Sequence, residues 1–79
     1  MSKVETMIKE LLEEKASSSF EYSRELNLVT DLGLDSIQLL DITMELEDNL
    51  DIVFEDEDLD LEIISNLDAL IKLVEEKMV

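Results

Sequence analysis

Histidine, cysteine, proline and tryptophan are all missing from this 79-residue chain, and it holds a single glycine, Gly33. Without cysteine there are no disulfides and no thiolate metal sites. Without histidine a serine nucleophile lacks its usual base, and no Ser-x-x-Lys arrangement starts at Ser36 to replace it, so serine hydrolysis is excluded. The lack of proline and the scarcity of glycine argue against a turn-rich β protein and for helices. Aromatics amount to one tyrosine and two phenylalanines, although 46% of the residues are hydrophobic, so the core must be aliphatic. No uninterrupted apolar run of about 18 residues exists, and no membrane-spanning helix is expected. The opening stretch MSKVETMIKE is charged throughout and has no signal-peptide-like apolar centre, which predicts a cytoplasmic protein.

Positive charge is scarce too. Six basic residues face 22 acidic ones, for a formal net charge of −16. Lys3, Lys9, Lys15 and Arg24 come early, Lys72 and Lys77 come late, and from Glu25 to Asp68 every charged residue is an acid. Such a body repels nucleic acid and anionic membranes and suits basic protein partners. The same charge also aids solubility.

What is present is helical periodicity. Ser2 and Glu5 have capping-box spacing, with Glu5 expected to reach back to Ser2. Val4, Met7, Ile8, Leu11 and Leu12 then predict a first helix ending near Lys15. The following ASSSFEYSRELNLVTDLGL is a connection of roughly twenty residues, a length uncommon unless the segment packs or works. Phe20, Leu26, Leu28 and Leu32 are its expected anchors. Asp35 and Gln38 form a second capping box, starting a helix at Asp35 or Ser36 that runs to about Leu50. EDEDLDLE predicts one or two helical turns. Ser65 with Asp68 predicts the start of a last helix, whose inner stripe is Leu67, Leu70, Ile71, Val74 and Met78. The expected fold is all-α: one domain over residues 1–79, a small monomeric four-helix bundle with one short helix and a long loop between the first and second helices.

The second helix carries two apolar faces. At roughly 100° per residue, Leu39, Ile42, Leu46 and Leu50 form one stripe, the expected core side. Ile37, Leu40 and Met44 cluster nearly opposite, with Asp41 and Asp48 on one flank and Glu47 on the other. A helix in so small a bundle can hardly bury two opposed faces. The second cluster is therefore expected to be exposed as a docking surface, the alternative being that the long loop covers it. Ser36, at the helix start, would place a phosphate ester against free backbone N–H groups and the positive end of the helix dipole. Gly33 would permit the approach turn. Serine is also ordinary at a helix start, so these residues alone leave open whether Ser36 is a modification site. Asp56, Asp58 and Asp60 alternate like an EF-hand loop, but Leu61 and Leu67 stand where that loop needs glycine and glutamate, and no metal site is expected.

The stretch DLGLDSIQLLDITMELEDNLDI, from Asp31 to Ile52, resembles the signature of the acyl carrier protein family, Asp-Leu-Gly-x-Asp-Ser-Leu followed by a hydrophobic and acidic helix. Chain length, acidity and the order of elements extend the resemblance over essentially the whole chain. It implies that Ser36 accepts 4′-phosphopantetheine from coenzyme A, in a reaction that a separate phosphopantetheinyl transferase catalyses with magnesium and that Asp35 assists. It further implies that the arm's thiol carries acyl groups as thioesters between acyl-processing enzymes with basic docking patches, in fatty acid or related biosynthesis. The chain itself would then be non-catalytic. By the same resemblance an acyl pocket lies between Leu39, Ile42, Leu46 and the third and fourth helices. The chain departs from the pattern at Ile37 (usually leucine), Leu34 (often a small residue), Glu55 (proline in many relatives) and a short insertion around Leu59–Glu62. These departures leave the carrier role intact and bear on the third helix and on whether this is a general fatty-acid carrier or a specialised paralogue. The competing reading is an acidic helical adaptor with no prosthetic group, which intact mass would distinguish.

Overall fold

The computed structural model describes residues 2–16 and 19–78. Within them are four α-helices and no strand: α1 (Lys3–Lys15), α2 (Ser36–Leu50), α3 (Leu61–Ile64) and α4 (Leu67–Lys77), with a 3-10 turn at Asp56–Leu59 just before α3. Helix α1 packs against α2 and α4, and the short α3 packs on α4. The acidic stretch thus forms one 3-10 turn and one α turn. The side chains sealed most completely are Ile8, Leu12, Leu28, Leu39, Ile42, Leu46, Ile64, Leu67, Leu70, Ile71 and Val74, an aliphatic core as the composition requires.

Two of the expected caps differ in the structure. Ser2 does cap α1, its Oγ accepting the N–H of Glu5 at 3.1 Å. The Glu5 side chain does not return to Ser2. It is buried, and accepts the Tyr22 hydroxyl at 2.6 Å and the Arg24 guanidinium at 3.3 Å. A carboxylate taken out of water needs hydrogen-bond donors, and Tyr22 and Arg24 supply them here. Helix α4 is capped by Asn66, whose side chain accepts the N–H of Ala69 at 3.0 Å, and Ser65 instead closes α3. An N-cap needs a non-helical backbone. Ser65 is helical at φ −83° and ψ −17°, whereas Asn66 is extended at φ −91° and ψ 112°. Met78, assigned to the inner stripe of the last helix, lies beyond its final residue and is exposed.

The long connection behaves as a fourth wall of the core. Leu28, Leu32 and Leu34 are buried in it, and Phe20, Tyr22 and Leu26 pack on it. Around Leu28 its backbone polar groups pair across to the start of the last helix, as buried ones should. The Leu28 N–H donates to the Ser65 carbonyl at 2.7 Å, and the Leu67 N–H donates to the Leu26 carbonyl at 3.1 Å. These bonds bracket an isolated antiparallel bridge between Asn27 and Asn66. The Asn27 side chain also accepts the N–H groups of Val29 and Thr30, both at 2.9 Å, which coils the following turn. At the far end of the molecule the Lys77 ammonium lies 2.7 Å from Asp58 and over the Phe54 ring, tying α4 to the 3-10 turn.

Candidate functional site

The approach to α2 turns at Gly33, whose φ of +72° is left-handed and costs glycine little. Its N–H donates to the Val29 carbonyl at 3.0 Å, and the Leu34 N–H donates to the Leu28 carbonyl at 3.1 Å. The turn sends Leu34 into the core and leaves Asp35 at the surface. Asp35 is the N-cap of α2: its Oδ1 accepts the Gln38 N–H at 2.8 Å, and the Gln38 side chain accepts the Asp35 N–H at 3.1 Å.

Ser36 is therefore the first helical residue, and it is exposed. No side-chain hydrogen bond joins it to another described residue, and the chain has no histidine to deprotonate it. The Gln38 N–H is taken by Asp35 Oδ1 and the Leu39 N–H by the Asp35 carbonyl, while those of Ser36 and Ile37 have no intrahelical acceptor, so an anion on the Ser36 oxygen would meet unpaired donors and the positive end of the dipole. These residues fit a covalently attached phosphate ester: the oxygen is accessible, the helix start is rigidly capped, and the local field favours negative charge.

The two faces of α2 part as their patterns predict. Leu39, Ile42 and Leu46 are sealed in the core, with Leu50 half-buried at the helix end. Ile37 is 76% exposed, Met44 60% and Leu40 40%, so the long connection does not cover them. The hollows lined by Arg24, Glu25, Asn66 and Asp68, by Phe54 to Glu57, and by Lys3, Thr6, Met7 and Glu10 are not lined by Leu39, Ile42 or Leu46.

The acids flanking the exposed face are unequal. The Lys15 ammonium, on the last residue of α1, lies 2.6 Å from Asp41 Oδ2 and 2.9 Å from Glu45 Oε2. That Glu45 oxygen is enclosed with no hydrogen-bond donor aligned on it, so the lysine supplies the charge its burial demands. The Asp41 carboxylate, with Glu45 behind it, holds the Lys15 ammonium well above the ordinary lysine range. On the opposite flank Glu47 Oε2 accepts the N–H of Phe54 at 2.9 Å and so stitches down the chain after α2. Asp48 is exposed and has no ion-pair or hydrogen-bond partner among the described residues. Sequence reasoning missed Lys15 and Glu45. The only signal was the spacing of Asp41 and Glu45, one turn apart on one flank, which makes a cation receiver without saying which cation fills it.

Among the described residues no helix is long and apolar enough to cross a membrane. A family model described as "phosphopantetheine attachment site" matches residues 2–74. No curated protein and no solved structure matches the chain.

Proposed function

The chain belongs to the phosphopantetheine attachment-site family, whose members carry 4′-phosphopantetheine as a prosthetic group, and we propose that it is a discrete acyl carrier modified at Ser36. When bound, the group supplies a thiol at the end of a long arm, to which an acyl unit is joined as a thioester. The observation that carries the assignment is the exposed, unengaged Ser36 hydroxyl at the first position of a helix locked by a reciprocal Asp35–Gln38 cap. Asp35 spends one carboxylate oxygen on that cap, and its second oxygen is available to assist the transferase and its magnesium. The chain offers no base of its own, so the transferase removes the Ser36 proton.

The remaining roles follow from the two faces of α2. Ile37, Leu40 and Met44 form the apolar centre on which the transferase and acyl-processing enzymes dock, with Asp41, Glu47 and Asp48 around it drawing their basic patches. Leu39, Ile42 and Leu46, with α3 and α4, form the aliphatic interior into which an acyl chain folds back. The carrier works as a cytoplasmic monomer in fatty acid synthesis or a related acyl pathway. Incubation of the apo chain with coenzyme A and a phosphopantetheinyl transferase tests the reading by intact mass. The wild type gains one adduct, and Ser36→Ala gains none while melting at the same temperature, because the hydroxyl makes no hydrogen bond among the described residues. An adduct on Ser36→Ala would overturn the assignment and move attention to Ser19, Ser23 or Ser65, or to Ser17 and Ser18, which lie outside the described residues.

A further inference from the structure

On one flank of the exposed α2 face, a cation of the chain itself already stands where a partner's cation would land. Lys15 reaches from the end of α1 to Asp41 and Glu45, and its side chain is only 19% exposed against 52% for Asp41. Lys77 is as enclosed, at 20%, and Arg24 also spans between elements, but their acids, Asp58, Glu5 and Asp68, lie off α2. Lys72 is 68% exposed and pairs along its own helix with Asp68. Lys3 has no ion pair among the described residues. Lys15 alone spans from another helix onto the acids that border Ile37, Leu40 and Met44. Its position at the C-terminal end of α1 also places it at the negative pole of that helix, which favours its charge.

We propose that Lys15 is an internal competitor for the cationic side chains of partner enzymes. It occupies Asp41 Oδ2 and Glu45 Oε2, so a partner's arginine or lysine competes with it for Asp41, whereas Asp48 is open to pair with that cation directly. The inference rests on the docking reading of α2. Its physical basis is that a partner cation reaching Asp41 meets repulsion from Lys15 at nearly the same point, so the Lys15–Asp41–Glu45 cluster carries one net negative charge instead of two. Asp48 carries an uncompensated charge. Removing either acid takes the same unit charge from the long-range field, so Asp41 and Asp48 differ at contact: Asp41 Oδ2 is already held by Lys15, whereas Asp48 has no partner among the described residues.

The test compares Lys15→Gln with Lys3→Gln, which removes the same unit of charge from the opposite end of α1. The readout is kcat/KM for phosphopantetheine transfer to the apo chain, followed as salt is raised, with thermal melts of each variant. Lys15→Gln should raise kcat/KM at low salt by roughly three- to tenfold and steepen its fall with salt, whereas Lys3→Gln changes it by less than about twofold. Equal behaviour of the two folded variants would overturn the proposal. Because Glu45 loses its counter-charge in Lys15→Gln, that variant is exposed to unfolding, and a second comparison leaves Lys15 in place. There Asp48→Asn should slow transfer more than Asp41→Asn, and an equal or larger effect of Asp41→Asn would sink the idea. A wild-type chain that takes no group at Ser36 would remove the carrier reading and this inference with it. Normal loading with no difference between the variants removes this inference alone.

Discussion

On the inward face of α2, Leu39, Ile42 and Leu46 are at most 1% exposed, while on the outward face Ile37 and Met44 keep more than half their surface in water. The two sets are nearly alike in hydrophobicity and share one fifteen-residue helix. Burial here is decided by what stands opposite. The inward arc packs on α1 and shares one core with the inner residues of α4 and the leucines of the long connection, and a bundle this small has no second layer to offer the other side. The outward face is therefore left exposed, bordered by acids. The difference also sets what each face responds to: packing volume inside, and shape plus charge outside.

The strongest way to break this comparison is to truncate each face in turn. Leu46→Ala should cost about 2–5 kcal/mol of folding free energy, read as a large drop in melting temperature, with docking by the surviving folded fraction little changed. Met44→Ala should do the reverse: transfer kinetics weaken by an amount equivalent to about 1–2 kcal/mol, with stability within about 0.5 kcal/mol of wild type. If Met44→Ala unfolds the chain and Leu46→Ala does not, the faces are assigned backwards. A smaller effect comes from reversing charge at Asp41 and Asp48 together, which should slow association and flatten its salt dependence, since border charges act mainly on the on-rate.

Salt sharpens the contrast with opposite signs. Added ions screen the repulsion within an acid-rich chain and raise its melting temperature, while the same ions slow the approach of a basic enzyme. A melting temperature indifferent to ionic strength would mean that the acids are spaced too widely to oppose folding. The smallest effect is the acid limb of stability. Lys77 holds the Asp58 carboxyl below its usual range, aided by the Glu55 N–H. A depressed folded pKa gives stability that is present above the unfolded value, about 3.9, and lost as pH falls through the folded one. Lys77→Met should therefore lower the melting temperature slightly at neutral pH and flatten its decline at the acid end of a titration.

Local patterns were legible in the sequence, and contacts between distant segments were not. The Asp35–Gln38 cap, the stripe of Leu39, Ile42 and Leu46, and the opposed Ile37, Leu40 and Met44 all depend on residues within a turn or two of each other, so spacing alone reveals them. Glu5 shows the limit: its capping-box spacing is right, yet Tyr22 and Arg24 from the connection claim its carboxylate. Asn66 prevails over Ser65 as a cap because α3 ends where it does, which depends on how that turn packs against α4. Lys15 carries no sign in its own neighbourhood that Asp41 and Glu45 await it. The departure at Glu55 becomes intelligible only in the structure, where its N–H donates to Asp58 Oδ2 at 2.8 Å, a bond that proline lacks the hydrogen to make.

The bridge between Asn27 and Asn66 has a kinetic consequence. Its hydrogen bonds join segments that lie on either side of α2 in the chain, so they close only after the loop that carries α2 has been brought together. The connection leading to Ser36 cannot open alone without uncovering Leu28. In hydrogen exchange, the amides of Leu28 and Leu67 should be released at the rate of global unfolding rather than of loop motion. Slow exchange there would mean that the serine is presented from a foundation that yields only with the core.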